Sequence, residues 1–207
     1  MTNIFIVLIL LTCYMYGSIP YGLIIGKITK GIDIRDFGSG NIGATNVYRT
    51  LGFIPASLVM ILDTSKGYLA VFVCMMLGFD PIYVIIGALL ALLGHTFSIF
   101  LKFSGGKGVA TALGIIIGLN WLVAVIALGI WIILTAVTRY VSLASIIATI
   151  SVPLMMFFWK SQQIPKEYLV FTSVIAICII IKHKSNIKRL LNGTENKFGK
   201  RIDIENK

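Results

Sequence analysis

Hydrophobic residues in this chain form seven long runs separated by short polar segments. The runs are continuous, and most of them approach the roughly 20 apolar residues that a helix needs to cross a bilayer. In lipid, a continuous apolar run satisfies its backbone hydrogen bonds as a helix. The pattern therefore predicts an all-α polytopic membrane protein with about seven transmembrane helices. The predicted spans are residues 4–25, 51–77, 82–101, 109–119, 122–137, 141–159 and 168–181.

Two of the runs differ from a simple straight span of about 20 residues. Gly17 and Pro20 lie in the second half of the first run and predict a kink there. The run 109–119 reaches only about 16 Å as a helix, so it is either a short span or the start of a longer one that continues past Asn120. We favour the short span, ended by Asn120 and Trp121, because Trp sits readily at the membrane interface.

Composition excludes an ordinary soluble domain. The 207 residues are 57% hydrophobic and 13% charged, with a mean hydropathy of +0.94, whereas soluble domains are typically about 45–50% apolar and 25% charged. We interpret the chain as a single domain, 1–207, with a transmembrane core at 1–181 and a basic tail at 182–207. Cys13, Cys74 and Cys178 lie inside apolar runs and indicate packing residues, with no disulfide framework or metal spacing.

The net charge of +10 is compatible with nucleic acid binding, but membrane topology explains it better. With seven crossings, fifteen of the 18 Lys and Arg residues fall on the side of the tail, two fall on the opposite side, and Lys66 lies within a span. Basic residues collect on the cytoplasmic side, so the N-terminus is predicted outside and the C-terminus in the cytoplasm. A five-span arrangement that fuses 109–137, or leaves 51–77 on the polar side, explains less.

The longest polar loop contains a glycine-rich cluster at 37–49. Its three glycines allow the backbone to approach a ligand closely and to direct successive N–H groups toward it. Arg49 adds a planar charged group suited to phosphate. The glycines are Gly38, Gly40 and Gly43, and the neutral donors are Ser39, Asn41, Thr45 and Asn46.

A second cluster at 103–111 repeats this chemistry around Lys107. Lys107 precedes the helix predicted from residue 109, so a bound phosphate would meet loop N–H groups, a helix N-terminus and an ammonium together. The loop lacks the Ser or Thr that follows the Lys of a nucleotide-binding P-loop, so an ATPase is not indicated. Both clusters fall on the predicted cytoplasmic side, which indicates a site for phosphorylated ligands.

Other catalytic arrangements find little support in the sequence. No carboxylate cluster or Cys–His set predicts a metal site. Ser39 or Ser104 could pair with His95 or His183 as a nucleophile, but no third group is evident, and a Ser in a glycine loop more often donates a hydrogen bond to an anion. We interpret His95 as a hydrogen-bonded structural residue.

Two further sets of residues are spaced so that their members would lie on one face of a helix. Asp63 and Lys66 are three residues apart within a span, share a helix face and can neutralise each other. Structural pairing and contact with a ligand both remain open for them. If the last span continues as a helix, His183, Asn186 and Leu190 also share one face.

These motifs follow one another in an order that resembles the bacterial acyl-phosphate:glycerol-3-phosphate acyltransferases, the PlsY family. The similarity covers nearly the whole chain, although family members usually have Lys at the position of Ser104. The matching segments are 17–22, 38–47 with Arg49, 63–67, 94–97, 105–111, 139–145 and 183–189.

The resemblance implies a specific reaction. Such enzymes transfer a fatty acyl group from acyl phosphate to the 1-hydroxyl of glycerol 3-phosphate, giving lysophosphatidic acid and orthophosphate, the first acylation of phospholipid synthesis. It implies no cofactor, no metal and no nucleic acid. It implies a multi-pass protein of the bacterial cell (inner) membrane with a cytoplasmic site, taking acyl phosphate from the bilayer and glycerol 3-phosphate from the cytoplasm. A functional coupling to an enzyme that produces acyl phosphate is left open.

The resemblance also assigns roles to residues of the two clusters and of the later spans. The implied catalytic residues are Ser39, Arg49 and Lys107. Glycerol 3-phosphate would be held by Arg49, Lys107, Ser145, His183 and Asn186. Acyl phosphate would be held by Ser39, Asn41, Gly43, Thr45, Gly105, Gly106 and Gly108.

The residue chemistry is compatible with that reaction. Acyl phosphate is a mixed anhydride with a good leaving group, so positioning and charge stabilisation do most of the work. The main alternative is a membrane transporter of a phosphorylated solute, because anion sites at helix N-termini occur there as well. The two glycine loops differ in spacing, however, and reveal no internal repeat. A structural protein would leave the Asp63–Lys66 pair and both loops unexplained.

Overall fold

The structure is a computed structural model that describes residues 3–158 and 165–202. These residues form helices and loops, which confirms the all-α class. Two short 3-10 turns, Ile34–Asp36 and Ile99–Leu101, lie in the loops. The helices are α1 Asn3–Ser18, α2 Tyr21–Lys30, α3 Ala44–Leu51, α4 Phe53–Met76, α5 Pro81–Thr96, α6 Val109–Leu119, α7 Trp121–Thr138, α8 Val141–Phe158, α9 Lys166–Lys182 and α10 Lys184–Leu191.

The first apolar run is broken as predicted. Its helix ends at Ser18, α2 begins at Tyr21, and the two helices meet at an angle of 41°. Pro20 lies at the break, where it has no N–H to donate to the preceding turn. Gly17 lies where α1 crosses α5, and an added methyl group there would overlap the carbonyl oxygen of Ala91. The first helix of the bent pair, α1, therefore packs closely against α5.

The short run 109–119 is a separate helix. The chain leaves α6 after Leu119, and the Asn120 side chain accepts a hydrogen bond from the N–H of Val123 at 3.1 Å. This is the usual N-cap contact, and it begins α7 at Trp121. The alternative in which residues 109–137 form one helix is therefore wrong.

Several of the described helices are long and apolar enough to cross a membrane. Three qualify individually, namely Phe53–Met76, Trp121–Thr138 and Val141–Phe158, and up to five qualify if each bent pair counts as one span. Pro81–Thr96 and Val109–Leu119 are apolar but shorter. The multi-pass architecture is thus supported, whereas the number seven and the orientation of the termini stay predictions.

The last span does not continue straight into the tail. α9 and α10 meet at an angle of 59°, and His183 stands between them. The continuous helix that was the condition for His183, Asn186 and Leu190 to share one face is therefore not present. The last residue of the predicted span 141–159 and residues 203–207 of the tail lie outside the described residues.

Close packing between α4 and α6 positions the helix that follows the second glycine cluster. A methyl group on Gly67 of α4 would overlap the carbonyl oxygen of Thr111 in α6, and one on Gly114 of α6 would overlap that of Thr64 in α4. The two backbones therefore touch directly, as small residues allow in membrane helix pairs. This contact fixes the start of α6 relative to α4.

Candidate active site

One cavity of about 170 Å³ connects the two glycine clusters with the interior of the helix bundle. Its polar wall comes from both clusters, from α8 and from the region around His183. Its other wall is apolar and comes from α6, α7, α8 and α9. The apolar lining includes Leu113, Ile116, Leu128, Val152 and Ile175.

Asn46 organises the first cluster. Its side-chain amide donates hydrogen bonds to the carbonyl oxygens of Ile34 and Phe37 at 3.1 and 3.0 Å, and its oxygen accepts one from the N–H of Ser39 at 2.8 Å. Asn46 is buried, so these contacts satisfy a polar group that has little access to water. Gly38 has a φ of 62°, a value that favours glycine. The loop is thereby folded around Asn46, with Ser39 at the cavity.

Lys107 stands at the start of α6. Gly108 adopts a φ of 84° and serves as the N-cap position of that helix, which begins at Val109 as predicted. The Lys107 ammonium donates a hydrogen bond to Oδ1 of Asn186 at 2.5 Å. This contact connects the second glycine cluster to α10 across the cavity.

The side chains of Ser145 and His183 each make a hydrogen bond to a neighbouring residue. The indole N–H of Trp131 donates to the Ser145 hydroxyl at 3.0 Å, which leaves the Ser145 hydrogen for another acceptor. Nδ1 of His183 lies 2.8 Å from the carbonyl oxygen of Ile179. His183 lies beyond the end of α9, and burial lowers its pKa to about 4, so the imidazole is neutral near pH 7.

Glu195 completes the polar wall, and the sequence interpretation gave it no role. Its carboxylate accepts hydrogen bonds from Ser142 at 3.1 Å, Asn186 at 2.8 Å and Arg189 at 2.7 Å. Burial opposes its ionisation, but the hydrogen bonds from Asn186 and Arg189 outweigh burial and keep the pKa of the carboxyl below its usual value. Glu195 therefore fixes the Asn186 amide so that its oxygen faces Lys107.

The segment after Glu195 packs back onto the rest of the protein. The N–H of Phe198 donates to the carbonyl oxygen of Arg139 at 2.6 Å, and the N–H of Ile202 donates to that of Arg49 at 2.9 Å. The Phe198 ring also stacks on Tyr48 at 4.6 Å between centroids. This part of the basic tail is thus packed against α3 and the α7–α8 junction and is not simply a charged extension.

Positive charge exceeds negative charge around the polar wall. Arg49, Lys107 and the neighbouring Arg189 contribute three positive charges and Glu195 one negative charge. The charge of Asp63 is balanced by Lys66, so the net charge of these six side chains is +2. Burial, reinforced by Arg189 and Arg49 and opposed by Glu195, lowers the pKa of Lys107 to about 8. The wall therefore favours a ligand that carries two negative charges, such as a phosphate monoester.

The structure brings most of the predicted site residues together. Gly105 and Gly106 instead pack against His95, and the Ser104 hydroxyl donates to the carbonyl oxygen of Leu101 at 2.7 Å. Asp63 also lines the cavity, and it pairs with Lys66 at 2.6 Å, which is the structural alternative of the two left open for these residues. The individual roles stay predictions. The predicted residues at the cavity wall are Ser39, Asn41, Gly43, Thr45, Arg49, Lys107, Gly108, Ser145, His183 and Asn186.

Within 3–158 and 165–202, no group of three or more His, Cys, Asp or Glu side chains is placed to hold a metal ion. Neutral donors, backbone N–H groups and cations make up the polar wall. This donor set suits the oxygens of a phosphate group.

Known proteins share both the sequence and the fold. The glycerol-3-phosphate acyltransferase family profile matches residues 7–193. The glycerol-3-phosphate acyltransferase of Desulforamulus reducens is 42% identical over 97% of this chain and 99% of its own length. That of Trichlorobacter lovleyi is 50% identical over 89% and 93%.

Two solved structures of the integral membrane glycerol 3-phosphate acyltransferase PlsY superpose on this fold. Its glycerol 3-phosphate form has a TM-score of 0.87 at 42% identity, and its lysophosphatidic acid form has a TM-score of 0.85 at 41% identity. In each case the match covers 94% of this chain and 96% of the solved one. The chain therefore belongs to the PlsY family of glycerol-3-phosphate acyltransferases.

Proposed function

We propose that this protein transfers a fatty acyl group from acyl phosphate to the 1-hydroxyl of glycerol 3-phosphate, releasing lysophosphatidic acid and orthophosphate. The observation that carries the proposal is one cavity that has both a cationic polar wall and an apolar wall. One reactant of this reaction is small and anionic, and the other joins a phosphate to a hydrocarbon chain. A cavity with both kinds of wall accommodates the two reactants side by side.

Glycerol 3-phosphate would bind at the polar wall. Arg49 and Lys107 supply charge, and Ser145, His183 and Asn186 supply hydrogen-bonding groups around the same space. Charge-assisted hydrogen bonds to phosphate are roughly twice as strong as neutral ones. A solved relative of 42% identity is described as a glycerol 3-phosphate form, which supports this choice of acceptor.

Acyl phosphate would place its headgroup near the first glycine cluster and its chain along the apolar wall. Ser39, Asn41, Gly43 and Thr45 line the polar end of the cavity, and the start of α6 provides N–H groups at Gly108 and Val109. The apolar wall lies among helices that are largely exposed to lipid, so a hydrocarbon chain entering from the bilayer stays in an apolar environment. The roles predicted for Gly105 and Gly106 would then be indirect.

The proposed mechanism is direct attack of the acceptor hydroxyl on the acyl carbonyl carbon. The new bond joins the hydroxyl oxygen to that carbon, the bond from the carbon to the phosphate oxygen breaks, and the hydroxyl proton passes to a phosphate oxygen of the departing group. His183 is a weak base because its pKa lies near 4, which supports a proton acceptor on the substrate. Arg49, Lys107 and the loop N–H groups would hold the reactants in register and stabilise negative charge.

The proposed topology has seven spans, with the N-terminus outside and the active site on the cytoplasmic side of the bacterial inner membrane. The bent pair α1–α2, then α4 to α9, supply the seven apolar segments. The excess of Lys and Arg on the side of the site supports this orientation. Glycerol 3-phosphate would then enter from the cytoplasm and orthophosphate would leave to it.

The reaction can be tested with purified protein in detergent, palmitoyl phosphate and glycerol 3-phosphate. We expect one orthophosphate and one lysophosphatidic acid per turnover, with palmitoyl-CoA giving no product. The control is the same mixture without glycerol 3-phosphate, in which release should fall to the uncatalysed rate. Activity seen only in sealed vesicles, as movement of a phosphorylated solute, would instead support a transporter.

The activity should depend on the protonation of Lys107. Because the pKa of Lys107 lies near 8, the charged form predominates below that pH and is lost as the pH rises through it. The phosphate monoester has its second pKa near 6 and is already a dianion there. We expect the KM for glycerol 3-phosphate to rise as the pH increases above about 8, measured from initial rates between about pH 7 and 9.5.

The matched variant for this pH dependence is Lys107→Arg, because an Arg side chain stays charged throughout the range. Its absolute KM will differ from that of the wild type, but its KM should change little with pH. A wild-type KM that is constant across the range would contradict the assignment.

A further inference from the structure

Three ionisable side chains meet inside the helix bundle beside the active site. Lys66 Nζ lies 2.6 Å from Asp63 Oδ1, and His95 Nδ1 lies 3.5 Å from each of these two atoms. The exposed fractions of Asp63, Lys66 and His95 are only 2%, 1% and 4%. Asp63 and Lys66 come from α4 and His95 from α5. The cluster therefore connects two helices at a depth where unpaired charges are costly.

The Nε2 side of the His95 ring and the His95 carbonyl group contact the second glycine cluster. The N–H of Gly106 donates to the His95 carbonyl oxygen at 3.0 Å. A methyl group on Gly106 would overlap Nε2 of the imidazole, and one on Gly105 would overlap the His95 carbonyl oxygen. The Gly105–Gly106 turn thus rests on both the ring and the backbone of His95, with no room for a side chain.

Lys107 follows this turn directly. Its ammonium reaches across the cavity to Asn186, so a shift of the turn moves the Lys107 backbone relative to the rest of the polar wall. Displacements of about 1 Å at a site of this kind cost up to about 100-fold in rate.

We propose that Asp63 and Lys66 are positioning residues that hold His95 against the Gly105–Gly106 turn and thereby direct Lys107 at the phosphate of glycerol 3-phosphate. The inference rests on the proposed role of Lys107 in binding that substrate. Asp63 and His95 also line the cavity, and the role proposed for the buried pair is the one that it exercises through His95.

A purely structural ion pair would behave differently from a positioning pair. The Asp63→Asn/Lys66→Met double variant removes both charges while approximately keeping both side-chain volumes, so no unpaired charge remains buried. The contacts of Gly67 and Gly114 still hold α4 against α6, so we expect the double variant to keep the fold. A structural pair would then be dispensable for catalysis, whereas a positioning pair would not.

The test compares this double variant with the wild type and with Asp80→Asn/Lys184→Met, which makes the same changes at exposed positions. We expect the buried double variant to keep its melting temperature in detergent within a few degrees. Its KM for glycerol 3-phosphate should rise about 10- to 100-fold, with a smaller change in the KM for acyl phosphate. The exposed double variant should match the wild type in both constants.

A second variant, Gly106→Ala, forces the turn and the His95 ring apart while keeping the Asp63 and Lys66 side chains unchanged. We expect the same rise in the KM for glycerol 3-phosphate and a reduced thermal stabilisation by that ligand. A wild-type KM in either folded variant overturns the inference. A wild-type protein that is neither stabilised by glycerol 3-phosphate nor active with it would instead contradict the proposed function.

Discussion

Replacing Lys107 with alanine is expected to lower kcat/KM by at least about 100-fold. The ammonium is the cation at the start of α6, and its hydrogen bond to Asn186 places it on the cavity wall. Removing one preorganised donor from such a site typically costs about 100- to 1,000-fold. Initial rates of orthophosphate release over a range of both substrates would separate the loss of binding from the loss of turnover.

The control for Lys107 is Lys184→Ala, because Lys184 is exposed at the start of α10 and belongs to the same positively charged side of the protein. It should retain near-normal rates and the same melting temperature. Near-normal activity of Lys107→Ala would mean that Lys107 contributes to membrane topology only.

Replacing Arg49 with alanine should have an effect of similar size. Arg49 is 8% exposed and lines the cavity, and one of its terminal nitrogens donates to the carbonyl oxygen of Asn196 at 3.2 Å. The remaining donors of the guanidinium suit a bidentate contact with phosphate. We expect a loss of at least about 100-fold in kcat/KM and an increased KM for glycerol 3-phosphate.

The contribution of the planar shape of the Arg49 guanidinium to activity can be measured separately from the contribution of its charge. Arg49→Lys keeps the charge but loses the planar fork, so it should recover only part of the activity, to within about tenfold of the wild type. Arg35→Ala is the matched control, because Arg35 lies in the same loop region and makes an exposed ion pair with Asp33, a contact usually worth about 0–1 kcal/mol. Equal losses for Arg35→Ala and Arg49→Ala would indicate a general effect of charge.

Several helices could be predicted closely from the sequence. The predicted spans 51–77 and 109–119 correspond to Phe53–Met76 and Val109–Leu119. Continuous apolar runs allow little else in a bilayer, because every backbone hydrogen bond must be made within the segment. Pro20 and Asn120 also indicate a helix break and a helix start, because proline lacks an N–H and asparagine is a good N-cap.

The break at His183 could not be predicted in the same way. The sequence has neither proline nor glycine there, and His183 itself adopts a φ of −93°. The direction of α10 is set by tertiary contacts, including those from Asn186 and Arg189 to Glu195. Such contacts depend on residues whose spatial proximity is not apparent from local sequence.

The chemical types of the site residues could be predicted from the sequence, but most of the contacts between them could not. The spacing of Asp63 and Lys66 correctly indicated an ion pair, whereas the approach of His95 depends on how α4 and α5 pack. Glu195 was missed, although one signal was present: it is the sole acidic residue between 182 and 201, in an otherwise basic segment. An isolated carboxylate among cations often indicates a buried partner for one of them.

Direct transfer between two substrates held at one cavity is the central claim, and a rapid-quench measurement with palmitoyl phosphate tests it most directly. Without glycerol 3-phosphate, we predict no initial burst of orthophosphate and no acylated protein by mass spectrometry. With glycerol 3-phosphate, orthophosphate and lysophosphatidic acid should form at equal rates from the first turnover. A burst of about one orthophosphate per protein without the acceptor, with the acyl group on Ser39 or another side chain, would contradict the account.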